Sequence, residues 1–208
     1  MTALAAEAYR SNQRWAGRLV AASLTYNSIE GVVAIVAGLL AGSVALVGFG
    51  LDSGIEVSAS AVVLVHLLRR NEEEESPWEQ RVAMFVGLTF LVLAVYVGFE
   101  AVRDLVTTAR PDASYFGIGI AMASLAIMPV VSRLKHDLAH RINSRALEAE
   151  SRETLICSYL SGALLLGLSA NALLGWWWAD PAAGLVIVAF LAREGWEAFT
   201  RKELCCVD

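Results

Sequence analysis

Two carboxylates four residues apart interrupt a long apolar run: Asp52 and Glu56, in Ser43-Val-Ala-Leu-Val-Gly-Phe-Gly-Leu-Asp-Ser-Gly-Ile-Glu. On an α-helix that spacing puts both on one face, one turn apart. Glu153 and Cys157 repeat it, with Glu150 one turn earlier on nearly the same face. An acid in hydrocarbon costs about 2.5 kcal/mol or more if central and unpaired, so such residues point to a cation as partner. Two helices each offering an i, i+4 pair supply four ligands, the number that tetrahedral zinc takes. Three carboxylates and one thiolate suit a divalent cation, and the thiolate leans towards zinc or softer ions. The competing reading is structural. Buried acids can be protonated or hydrogen-bond between helices, and a lone buried Cys is usually a small hydrophobe.

These pairs need a membrane-sized scaffold, and the composition provides one. The 208 residues are 57% hydrophobic and 18% charged, with a mean hydropathy of +0.56; a soluble domain is nearer half apolar and a quarter charged. Apolar runs of about 20 residues predict an all-α, polytopic membrane protein of a single domain over 1–208. Six spans are expected, at about 17–40, 44–68, 79–107, 115–134, 145–174 and 180–199. Residues 1–16 are read as an N-terminal segment, 135–144 as a charged connector and 200–208 as a short tail. Trp176 to Trp178 read as an interfacial aromatic belt. Thirteen basic residues fall on one side of this arrangement, among them Arg10, Arg14, Arg69, Arg133, Lys135 and Arg193, and two, Arg103 and Arg110, on the other. The richer side is cytoplasmic, so both termini are expected there. Counting rise from the outer helix ends, Asp52 lies roughly 13 Å deep, Glu56 roughly 20 Å, Cys157 roughly 21 Å and Glu153 roughly 27 Å. All four can therefore meet within a hydrocarbon core of about 30 Å.

Other polar residues have plainer readings. Glu30, mid-way along the first helix, suits a supporting acid, a proton carrier or an interhelical hydrogen bond, and Asn27 could share its face. Glu150 is a further supporting candidate. Glu100 and Arg103 predict a local ion pair, and Asp180 a cap for the sixth helix. Glu72 to Glu75 read as a solvated loop and His66 as interfacial. His136 and His140 share one helical face, and Cys205-Cys206 lie in the short tail; either pair could meet metal, with a solvated surface as the alternative. No basic stripe with interleaved aromatics suggests nucleic acid. No removable signal peptide is apparent, and three cysteines make no disulfide framework. An enzyme is not expected: no His-Glu-x-x-His motif is present, and no His within the spans pairs with Cys157.

Ser43-x-Ala45-Leu46 followed by Asp52 and Glu56, then Ala146-Leu-Glu-Ala-Glu150-Ser-Arg-Glu153-Thr-Leu-Ile-Cys157, then Trp178-Ala-Asp180-Pro-x-Ala-Gly-Leu185, together resemble the cation diffusion facilitator family. The resemblance covers all six helices and implies the ligand set Asp52, Glu56, Glu153 and Cys157. That family usually carries His and Asp where this chain has Glu153 and Cys157. Most members also continue into a C-terminal cytoplasmic domain, so the chain looks like the small, tail-less branch related to vesicle-membrane zinc transporters. The resemblance implies efflux of Zn²⁺ or a similar divalent cation by alternating access, with protons as counter-ions. Metal ligands must be deprotonated, so metal binding and proton release are linked. It also implies an integral, multi-pass protein (of the cell membrane, if bacterial) that forms a homodimer. Without a tail domain the dimer contact would be intramembrane, at small residues such as Gly31, Gly38, Gly42, Gly117 and Gly119. The alternative is a membrane metal-binding or partner-regulating protein without transport.

Overall fold

A computed structural model describes residues 3–69 and 77–200, with the side chains of 66, 69, 77–87, 89, 145 and a few terminal positions left aside. The described residues form six α-helices: α1 (Ala3–Ala41), α2 (Val44–Arg69), α3 (Pro77–Thr107), α4 (Tyr115–Ile142), α5 (Arg145–Leu174) and α6 (Ala179–Thr200). Glu72 to Glu75, Cys205 and Cys206, and the side chain of His66, lie outside the description.

Two boundaries correct the sequence reading. The first helix begins at Ala3 rather than near Gly17. The residues expected as a connector, 135–144, continue α4 to Ile142. That segment is charged, but its charges do not all face out: Lys135 is fully buried. The α4–α5 turn is then only Asn143, in the left-handed conformation at φ 49°, and Ser144, whose hydroxyl caps α5 by accepting from Leu147 N–H.

Three helix pairs pack most closely: α1 with α2, α4 with α5, and α3 with α6. The α2 helix also touches α3, α5 and α6, which makes it the hub. The α1–α2 seam is tight because it is built of glycines. A Cβ on Gly31 would meet Gly50 O at 3.0 Å, and one on Gly38 would meet Val47 N at 2.8 Å. Gly117 similarly seats Leu46 and Leu168. Gly31, Gly38 and Gly117, expected as dimer contacts, are thus committed to packing within the chain. Gly42 serves the α1–α2 turn at φ +65°.

Asp180 also departs from expectation. Its carboxylate caps α2 rather than α6, accepting from Ser43 Oγ at 2.5 Å and from Ala45 N–H at 3.5 Å. The two short sequence motifs around Ser43 and Asp180 are therefore one structural feature, tying the start of α6 to the start of α2.

The bundle is polar within and apolar without. Leu39, Leu40, Val106, Phe116, Leu166 and Leu173 are largely exposed, while Asn27, Glu30, Asp52, Glu56, Ser60, Ser124, Lys135, Glu150 and Thr154 are buried. Such a surface suits lipid. Among the described residues, four helices, α1, α2, α4 and α5, are long and apolar enough to cross a bilayer. Inside, two apolar clusters bracket the polar groups. The larger includes Leu46, Phe49, Met128, Leu160, Leu164 and Ile187; the smaller includes Ala16, Val20, Val63, Leu67, Ala139 and Leu147. Asn27 and Glu30 of α1, Glu56 and Ser60 of α2, Ser132 and Lys135 of α4, and Glu150 and Thr154 of α5 fall between the two, while Asp52 and Ser124 lie among residues of the larger cluster.

Candidate metal site

The α2 helix carries Asp52 and Glu56 on the face it turns towards α5, and α5 returns Glu153 and Cys157. All four line one cavity of about 20 Å³, with Glu194 of α6 and walls from Phe90, Ile156, Leu160, Phe190 and Leu191. That is room for about one water or one ion. Asp52 and Glu56 are 7% and 5% exposed, and Cys157 is 2% exposed; Glu153 is half-buried. Among the described residues no basic side chain lines this cavity, and Asp52 and Glu153 make no ion pair. Glu56 Oε1 accepts from the Thr154 hydroxyl at 2.9 Å, whereas Glu56 Oε2 is buried with no hydrogen-bond partner among the described residues. Cys157 lines the same cavity as Glu56. Acids this close in a low-dielectric enclosure repel one another, and a bound cation removes that repulsion.

Glu194 was missed by the sequence reading. It belongs to Arg193-Glu-Gly-Trp-Glu197, which looks like a charged helix end. The signal was register: Ile187 and Leu191 are buried, and Glu194 follows at i+7 on the same face.

The supporting candidates separate. Glu30 does not line the cavity. Its carboxylate is held by Tyr26 Oη at 3.3 Å, Ser53 Oγ at 3.3 Å and Ser124 Oγ, so an interhelical hydrogen-bonding role fits it. Asn27 is fully buried, but neither polar atom of its side chain has a partner among the described residues; the expected interhelical hydrogen bond is not made. Glu150 is paired with Lys135, Nζ to Oε1 2.9 Å, and accepts from Ser60 Oγ at 2.6 Å. Lys135 also donates to Thr154 Oγ1 at 3.0 Å. Thr154 thus stands between this pair and Glu56. The expected Glu100–Arg103 pair is present at 2.6 Å on the surface. His136 and His140 sit together near the end of α4, away from the cavity.

The match to known proteins is broad. Residues 20–201 fit the family model described as the cation efflux transmembrane domain. Transmembrane protein 163 of Xenopus laevis is 23% identical over 193 residues, covering 91% of this chain and 67% of that protein. The manganese efflux system protein MneS of Bacillus subtilis is 23% identical over 196 residues, covering 91% and 66% respectively. The magnetosome protein MamB of Magnetospira sp. is 27% identical over 169 residues, covering 78% and 57%. The chain spans about two thirds or less of these relatives' lengths. It belongs to the cation efflux family, whose members are transporters rather than enzymes, and it is an integral, multi-pass membrane protein.

Proposed function

We propose that this member of the cation efflux family carries a divalent cation, Zn²⁺ or an ion like it, on Asp52, Glu56, Glu153 and Cys157, with Glu194 facing the same cavity. The observation that carries the reading is the set itself: four carboxylates and a thiol line one small cavity, with no basic side chain among its described lining residues. The thiol favours Zn²⁺ over magnesium or calcium. The carboxylates leave room for harder transition metals, and one relative is named as a manganese efflux protein.

In this reading all six helices span the membrane, both termini are cytoplasmic, and export is driven by protons. An empty site holds protons that metal displaces. Alternating access follows the packing. In this proposal the closely packed α3–α6 pair, which supplies Phe90, Phe190, Leu191 and Glu194 to the cavity, moves as one body, and α2 and α5, which supply the four ligands, belong to the other. Rocking one body against the other would open the cavity to either side around a fixed site. A homodimer remains part of the proposal, through faces other than the glycine seams already occupied.

The test is zinc flux into proteoliposomes containing the wild-type chain and Asp52→Ala. Flux dependent on a pH gradient and lost in the variant supports the reading. Undiminished flux removes Asp52 from the mechanism, and a wild-type chain that binds zinc without accumulating it is a metal-binding protein instead.

A further inference from the structure

At the end of the bundle where α4 hands over to α5, His136 and His140 lie one turn apart with their Nε2 atoms 3.1 Å from each other. The rings meet edge to face, centroids 4.4 Å apart. Across the turn, Glu148 in the first turn of α5 brings in a carboxylate oxygen, and the three ligand atoms all lie within 4.8 Å of one another. The geometry points to a second metal site here, separate from the intramembrane cavity and sharing no ligand with it. The ion it takes is a borderline divalent transition metal, Zn²⁺ foremost.

Two metal–nitrogen bonds of about 2.05 Å at a tetrahedral angle place their nitrogens about 3.3 Å apart, close to what the two imidazoles already show. Two His at i, i+4 on a helix are a common zinc-binding arrangement. Two His and one Glu make a three-ligand set that leaves the fourth position to water, so the ion is exchangeable. Imidazole selects zinc, nickel, cobalt or copper over magnesium and calcium. The ligands are preorganised, because the turn between them is short and capped at both ends. The Asn143 N–H reaches the Ala139 and His140 carbonyls, and Ser144 caps α5. Little ordering is left for the ion to impose.

One group competes. Arg152 Nη2 holds Glu148 Oε1 at 2.6 Å. This is an exposed i, i+4 pair, worth little in water, and the carboxylate keeps a second oxygen for the metal. A bound ion would fasten the last turn of α4 to the first turn of α5, the helix that carries Glu153 and Cys157.

The experiment is a Zn²⁺ titration of the full chain in detergent, read by calorimetry and by metal count after desalting, with Co²⁺ absorption as the geometric readout. His136→Ala/His140→Ala should lose about one Zn²⁺ per chain and the tetrahedral Co²⁺ bands of that site, and Glu148→Gln should weaken the same ion by about tenfold or more. Asp52→Ala should leave this ion in place. Equal stoichiometry and affinity in the wild type and the double variant would overturn the site. Should the double variant not fold, zinc protection of His136 and His140 from diethyl pyrocarbonate, read by mass spectrometry on the wild-type chain, decides: protection supports the site and unchanged modification overturns it.

Discussion

Glu56 and Glu150 are both buried acids in the polar layer between the two apolar clusters, yet their surroundings differ. Glu150 faces Lys135, which is itself fully buried, and accepts from Ser60. Glu56 faces Asp52, Glu153, Cys157 and Glu194 across a small cavity, with one hydroxyl, Thr154, as its hydrogen-bond donor. The first arrangement carries its own cation, although Glu150 Oε2, like Glu56 Oε2, has no hydrogen-bond partner among the described residues. The second gathers like charges and leaves space, which a folded protein tolerates when a ligand completes it. A buried acid in a membrane helix is therefore informative only together with what compensates it.

This contrast can be broken by substitution. The largest effect is expected in the cavity. Glu153→Gln should reduce metal flux in proteoliposomes at least as much as the roughly 10–100-fold loss typical of removing an outer-shell partner. It should also leave the thermal midpoint of the metal-free protein unchanged or higher, because it removes a repelling acid. A flux loss accompanied by a fall in stability would mean that Glu153 is structural.

Lys135→Met should behave in the opposite way, destabilising the fold by about 3–5 kcal/mol by leaving Glu150 buried and unpaired. Adding Glu150→Gln should restore most of that loss, since a buried ion pair replaced as a whole is often neutral or stabilising. Thermal unfolding of the two single variants and the double variant measures this; simple additivity would contradict the pairing. Next in size, Ser43→Ala removes the hydroxyl that joins α2 to Asp180 and should lower stability by about 1.5–3 kcal/mol, the range for a hydrogen bond to a charged group. Smallest is Arg103→Ala. Its pair with Glu100 is solvent-facing, with the Arg103 side chain 57% exposed, and the change in unfolding free energy should stay below about 1 kcal/mol.

Much of this was legible in the residues. The i, i+4 spacing of Asp52 with Glu56 and of Glu153 with Cys157 put these four side chains on two helices, and all four line one cavity. The span expected at about 145–174 matches the bounds of α5. The failures share one cause, that local pattern does not say which way a charged residue faces. Lys135 sits among His136, Asp137, His140 and Arg141 and reads as part of a solvated connector; its partner, Glu150, is fixed only once α4 packs on α5. Asp180 has the position of a local cap, but the nearest unsatisfied N–H groups belong to α2. The glycines of α1 look free for a second copy until α2 is seen to fill them. Glu194 lies far in sequence from the other acids, and only the crossing of α6 brings it to them.

The most direct measurement of the central claim is anomalous scattering from crystals of the full chain soaked in Zn²⁺. The account predicts a peak between α2 and α5, within about 2.0–2.3 Å of ligand atoms from Asp52, Glu56, Glu153 and Cys157, and none at Glu150. A cavity that stays empty at saturating zinc, or zinc held in the membrane by Glu150 in place of these four residues, would contradict it.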